Sequence, residues 1–104
     1  MKPLINPNGE ITFVPYTIED YNIVVASLVS NKANSLGYFS DEDLISWKYS
    51  NVPEWSHEAE NFIAWRDSVW AYSLAEMEKF LQGQRAQPSP RELYLELETE
   101  VPYV

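Results

Sequence analysis

The feature that most constrains the fold is a long run of apolar side chains at helical spacing in the second half of the chain. One stripe recurs every three or four residues and consists of Phe62, Trp65, Val69 and Tyr72. A second stripe lies beside it and consists of Ile63, Trp70, Leu74, Met77 and Leu81. Ser56 can cap the start of such a helix, and Gly83 can take the left-handed conformation that ends one. We therefore predict one long helix over residues 57–82, with an apolar face wider than a simple surface helix needs.

The beginning of the chain has the pattern of a β-hairpin over residues 3–14. Asn8-Gly9 is a preferred centre for a tight turn, and the β-branched and aromatic side chains of residues 11–14 suit a strand. Pro15 ends the second strand or confines it to a sheet edge. Since an isolated two-stranded hairpin is marginal in water, we expect it to dock on the remainder of the protein.

Two shorter helices are predicted between the hairpin and the long helix. Thr17 can cap the exposed amides of a helix over residues 17–34. Ser40 does the same for a helix over residues 40–49, whose first turn carries three acidic residues that favour a helix N-terminus. Pro53 breaks this second helix.

A last helix is predicted after the long one. Ser89, Pro90 and Glu92 combine a capping box with proline at the first helical position, which predicts a helix over residues 90–97. The apolar residues 101–104 that follow can add a strand to the sheet or remain unattached.

Together these elements predict one mainly helical α+β domain over residues 1–104, in which an N-terminal hairpin precedes three to four helices and one long helix is central. The 104 residues suffice for one modest core.

The absence of cysteine excludes disulfides, thiolate catalysis and cysteine-ligated zinc. A formal net charge of −9 argues against a protein that binds the phosphate backbone of nucleic acids. Apolar runs are too short for a membrane span. From the charge and the short apolar runs together, we predict neither nucleic acid nor membrane as a direct partner.

Residues that usually carry chemistry are few. His57 is the only histidine, and Asn61 stands where a zinc-protease motif places its second histidine. No Gly-x-Ser-x-Gly elbow accompanies it. The acidic residues 41–43 lead into Leu44-Ile45 and not into the glycine turn of a calcium loop. We therefore predict no catalytic residues, no metal ligands and no cofactor.

Aromatic side chains are the strongest functional signal. The 4 Trp, 7 Tyr and 4 Phe are more rings than a domain of this size can bury, and exposed rings that cluster mark partner surfaces. Most of the rings are still expected in the core. Trp47, Tyr49 and Trp55 cluster in a loop-rich stretch before the long helix and are the best candidates for an exposed surface. The full predicted partner-binding set is Trp47, Tyr49, Trp55, Trp65, Arg66 and Trp70.

The second half of the chain also carries a resemblance. Residues 58–67 read Glu-Ala-Glu-Asn-Phe-Ile-Ala-Trp-Arg-Asp; Trp70, residues 83–85 (Gly-Gln-Arg) and residues 88–93 (Pro-Ser-Pro-Arg-Glu-Leu) follow. These segments resemble the C-terminal half of small phage tail-assembly proteins, a group that includes tail-fibre assembly and tail-chaperone-like proteins. The resemblance implies a phage or prophage protein without catalysis that holds or delivers another tail protein in the host cytoplasm, or that sits in the virion.

Other interpretations remain open. A small acidic phage inhibitor could mimic nucleic acid and bind a host nucleic-acid-binding or defence protein, through Asp41, Glu42, Asp43, Glu92, Glu96, Glu98 and Glu100. Binding of that kind weakens steeply with salt, whereas an apolar contact does not. A structural virion subunit is a third interpretation. The wide face of the long helix also suits self-association, and Arg85 and Arg91 can meet an acidic partner.

Overall fold

The computed structural model describes all residues from Met1 to Val104. Its elements are β1 (Lys2–Ile5), β2 (Ile11–Val14), α1 (Ile18–Ser35), α2 (Asp41–Ser46), α3 (Pro53–Leu81) and α4 (Pro90–Glu100), with a single 3-10 turn at Trp47–Tyr49. This arrangement confirms the predicted mainly helical α+β fold, with an N-terminal hairpin and one long central helix. No helix combines the length and the apolar character that crossing a membrane requires.

The starts of three helices follow the predicted caps. The Thr17 hydroxyl accepts from the backbone N–H of Asp20, whose carboxylate accepts from the backbone N–H of Thr17. Ser89 and Glu92 form the same reciprocal pair at the start of α4. At α2, the Ser40 hydroxyl accepts from the third helical residue at 3.0 Å. Local side-chain chemistry therefore sets these boundaries.

The long helix α3 begins earlier than predicted. It starts at Pro53 and not at residue 57, because the fixed φ of proline and its missing N–H suit the first helical position. Ser56, the predicted cap, lies inside the first turn, where its hydroxyl donates to the Pro53 carbonyl at 3.2 Å. As a result Trp55 belongs to the first turn of α3 and not to a loop.

One core cluster lies among the four helices. It comprises Tyr21, Val25, Leu28, Val29, Ala33, Leu44, Ala59, Phe62, Trp65, Val69, Met77, Leu93 and Leu97. α3 contributes its first predicted stripe to this core. Of the second stripe only Met77 is fully buried, while Leu74 and Leu81 stay exposed at the surface. Part of the wide apolar face predicted for α3 therefore stays exposed and does not pack within the chain.

The hairpin does not dock on the helices, so that expectation was wrong. In the antiparallel pair Pro3 lies opposite Phe13 and Ile5 opposite Ile11, which places these four side chains on one face. All four are exposed, and the strand backbones pack only against each other. A salt bridge of 2.9 Å from Lys2 joins the hairpin to the first turn of α1. The helical core closes without the strands because α4 packs against both α1 and α3.

The protein is elongated as a consequence. Its radius of gyration is 17.0 Å, against about 13 Å for a compact chain of this length. Its accessible surface is 6878 Å², against about 6,000 Å² for a typical monomer of this mass. The chain therefore presents more surface than a compact domain of the same size.

Candidate protein-binding surface

The candidate surface forms where the chain turns from α1 into α2. Gly37 has a φ of +97°, which only glycine adopts without strain, and it turns the chain after α1. Tyr38 and Phe39 follow immediately. The Asp43 carboxylate accepts from the Phe39 backbone N–H at 3.1 Å, and the Asp43 backbone N–H donates to the Ser40 hydroxyl. These hydrogen bonds fix the backbone of Phe39 against the start of α2.

Four exposed rings occur between residues 39 and 55, and we call them the aromatic patch: Phe39, Trp47, Tyr49 and Trp55. Their exposed fractions are 95%, 39%, 87% and 47%, in that order. Phe39, Trp47 and Trp55 line one groove, which Tyr49 does not. The Trp47 and Trp55 rings meet edge to face, with their centroids 5.2 Å apart, in the geometry that aromatic pairs prefer. The 3-10 turn carries Trp47 and Tyr49, and the first turn of α3 carries Trp55. The contact thus brings together Trp47 and Trp55, two of the three residues that the sequence placed on one surface, and Tyr49 lies two residues from Trp47 on the 3-10 turn.

Phe39 was not among the surface residues predicted from the sequence. An apolar residue just before a helix cap usually packs against the fourth residue of that helix, which here is Leu44. Leu44 is fully buried in the core, yet Phe39 stands almost entirely in water. The sequence pattern at this position is therefore typical of a buried residue, and only the tertiary structure shows that the Phe39 ring is exposed.

The segment that carries the aromatic patch is strongly acidic. Five carboxylates occur in the surrounding segment, at Asp41, Glu42, Asp43, Glu54 and Glu58. The five ion pairs of the protein join other carboxylates, so none of these five is ion-paired. The one basic side chain nearby, Lys48, lies over the Tyr49 ring at 5.5 Å. The segment thus combines exposed rings with an excess of unpaired carboxylates, and one of these, Asp43, lies in contact with the same groove as three of the rings.

Tyr38 connects the groove beside the aromatic patch to one of these carboxylates. Its hydroxyl donates a hydrogen bond to the Glu58 carboxylate. This bond, together with burial, raises the pKa of Tyr38 to about 12. The hydroxyl therefore remains a donor to Glu58 well above neutral pH.

Trp65, a member of the predicted set, lies in the core and not on the surface. It is 8% exposed. Its indole N–H donates to the Val101 carbonyl at 2.9 Å, and its ring packs edge to face against Tyr103 at 5.3 Å. Asn61 donates to the Val104 carbonyl at 2.7 Å. The C-terminal residues therefore fold back onto α3, and they neither add a strand nor hang free.

The remaining two predicted residues lie away from the aromatic patch. Trp70 is half-buried and packs against the core. Arg66 is partly exposed and bonds to its neighbour Asp67 through two nitrogens, at 3.2 and 3.0 Å. An exposed pair of this kind adds little stability. The six predicted residues thus divide into three on the aromatic patch and three elsewhere.

The two arginines around the proline link also differ. Arg85 binds the Glu96 carboxylate through two nitrogens at 2.9 and 3.0 Å and reaches Glu76 at 2.7 Å. It is therefore used within the chain and is not available to an acidic partner. Arg91 is exposed and forms no ion pair. The same network takes Glu96 out of the acidic surface that a nucleic-acid mimic would present, and Glu92 is occupied in the α4 cap.

No three His, Asp or Glu side chains lie close enough together to hold a metal ion. His57 is exposed on α3.

No protein-family model matches the chain, and neither the curated proteins nor the solved structures give a match. The resemblance of residues 58–93 to phage tail-assembly proteins therefore stays a prediction, and function has to be inferred from the surface itself.

Proposed function

We propose that the protein is a non-enzymatic binding protein that docks another protein on the aromatic patch. The observation that carries this proposal is the exposure of four large rings within residues 39–55, of which Trp47 and Trp55 are in contact. Trp and Tyr dominate the binding energy of protein interfaces because each buries a large area at low entropic cost. The edge-to-face contact of Trp47 with Trp55 already holds both rings, which reduces the entropy that docking has to overcome.

We further propose that the partner is a phage tail or tail-fibre polypeptide, bound during assembly in the host cytoplasm or within the virion. The resemblance of residues 58–93 to tail-assembly proteins supports this choice. An unassembled tail polypeptide exposes apolar surface that its neighbours will later cover, and a patch of exposed rings is suited to shield it. The net charge of −9 keeps the free protein soluble and discourages nonspecific contacts.

The test compares two substitutions at sites of matched exposure. Tagged wild-type protein, Trp55→Ala and Leu95→Ala are used to capture the tail-fibre polypeptide of the same phage or prophage. Leu95 lies on α4 and is 49% exposed, against 47% for Trp55. We expect Trp55→Ala to weaken capture by about 2 kcal/mol, or about 30-fold, and Leu95→Ala to leave it unchanged.

Far-UV circular dichroism of the three proteins separates binding from folding. We expect equal helicity, because Trp55 is half exposed and outside the buried core. Unfolding of Trp55→Ala would show that the ring is structural and would overturn the assignment of the surface. Capture of a host nucleic-acid-binding protein, with binding that falls steeply as salt rises, would favour the acidic inhibitor instead.

A further inference from the structure

A groove that includes three rings of the aromatic patch indicates which chemical group of the partner binds there. Four rings and one carboxylate line this groove: Tyr38, Phe39, Trp47, Trp55 and Asp43. Its volume is about 250 Å³, on the order of eight water-sized groups at ~30 Å³ each. That space accommodates the planar head of one long side chain, such as a guanidinium with its four heavy atoms.

The carboxylate in the groove is incompletely used. One oxygen of Asp43, Oδ2, accepts from the Phe39 backbone N–H, and Oδ1 accepts no hydrogen bond from the protein. No lysine or arginine lies within ion-pair distance of Asp43. A partly buried carboxylate with a free oxygen beside exposed rings is suited to a cationic donor.

The rings favour the same kind of group. Aromatic faces attract cations, and arginine stacks on Trp while its fork of N–H groups still reaches a carboxylate. The protein's own basic groups do not fill the groove, since Lys48 lies over Tyr49 and Arg85 is paired with Glu76 and Glu96. Across residues 38–58 five carboxylates face one lysine, so the local field draws in a basic segment.

We propose that this groove binds an arginine side chain of the partner protein, with the guanidinium stacked on the Trp47–Trp55 pair and donating to Asp43. The inference rests on the proposed function, because it names the chemistry by which the partner engages the aromatic patch. It predicts that the segment of the partner that docks there is basic and exposes at least one arginine.

Three peptides of one design test the chemistry of the groove. Each has a single central residue between glycines, which is arginine, citrulline or norleucine. Citrulline keeps the shape of arginine without its charge, and norleucine keeps only the apolar stem. Binding is followed by NMR through the indole N–H signals, and we expect the arginine peptide to shift those of Trp47 and Trp55 and to leave that of buried Trp65 in place. The arginine peptide should bind about tenfold more tightly than either analogue.

Two variants with the same charge change locate the contact. Asp43→Asn should reduce the affinity for the arginine peptide about tenfold. Glu42→Gln, on the same turn but outside the groove, should leave the affinity within about twofold, because an exposed charge at a distance is screened. Circular dichroism confirms that both variants keep the wild-type helicity.

Several outcomes would overturn this inference. Equal binding of the norleucine and arginine peptides would make the groove an apolar site, and equal losses in the two variants would point to the general acidic field. Absence of any shift at Trp47 and Trp55 with the arginine peptide would also contradict it. None of these outcomes bears on capture of the tail polypeptide by wild type and Trp55→Ala, which decides the proposed function separately.

Discussion

Replacing Arg85 by glutamine tests the ion-pair network that ties α3 to α4. The guanidinium binds Glu96 through two nitrogens at 2.9 and 3.0 Å and Glu76 through one at 2.7 Å. Lys79 also reaches Glu76, at 2.8 Å, and the Tyr72 hydroxyl donates to Glu96 at 2.5 Å. Glu76 is buried, while Arg85 and Glu96 are partly buried.

The expected loss of stability is set by what remains after the substitution. A hydrogen bond to a charged group contributes about 1.5–3 kcal/mol. The three bonds of Arg85 do not add fully, because solvent screens them in part and each carboxylate keeps one partner, Lys79 or Tyr72. We expect the free energy of unfolding to fall by about 2 kcal/mol at neutral pH, which lowers the melting temperature by about 10 °C in a domain of this size.

The loss should depend on pH. Lys79 and Arg85 lower the pKa of Glu76 from its ordinary value of 4.5, and Arg85, with a smaller contribution from Tyr72, lowers that of Glu96. Groups whose pKa is lower in the folded state stabilise it above their unfolded pKa, and this contribution is lost as the pH falls through the folded value. The difference between wild type and Arg85→Gln should therefore be full above pH 4.5 and shrink as the solution is acidified.

Urea unfolding of wild type, Arg85→Gln and Arg91→Gln measures this directly. Arg91 is exposed and forms no ion pair, so its substitution should stay within about 0.5 kcal/mol of wild type. If Arg85→Gln lost no more stability than Arg91→Gln, the network would not stabilise the fold. A loss that persisted undiminished in acid would contradict the assignment to the two carboxylates.

Three further predictions follow from the fold. Trp65→Phe removes the donor to the Val101 carbonyl and should cost about 1–2 kcal/mol, with faster carboxypeptidase removal of residues 101–104 than in wild type. Gly83→Ala places a Cβ at φ +74° and should lower the free energy of unfolding by about 1–2 kcal/mol in urea. Deleting residues 1–14 should change the unfolding free energy of the helical part by less than about 1 kcal/mol, because the strands bury none of its core; a larger loss would mean that the hairpin packs on the helices in solution.

Features set by neighbouring residues could be predicted from the sequence. The caps at Thr17, Ser40 and Ser89 each accept from a backbone N–H only three residues away, and the structure has all three. The long helix follows from the spacing of its apolar residues. Its start at Pro53 was missed because proline both ends one helix and suits the first turn of the next.

Features set by distant parts of the chain could not be predicted. Trp65 is buried because residues 101–104 return to cover it, and nothing near Trp65 in the sequence indicates that return. The hairpin stays apart and α4 completes the core, although the marginal stability of an isolated hairpin predicted docking. Phe39 precedes a helix cap, where apolar residues usually pack, and is nevertheless exposed.

The central claim is that the aromatic patch is the surface on which a partner docks. Hydrogen–deuterium exchange of the protein, alone and in complex with the tail-fibre polypeptide, tests this most directly. We expect added protection to be confined to the segment that carries Phe39, Trp47, Tyr49 and Trp55. Protection confined to the exposed hairpin, or to the face of α3 around Leu74 and Leu81, would contradict the claim and place the interface there.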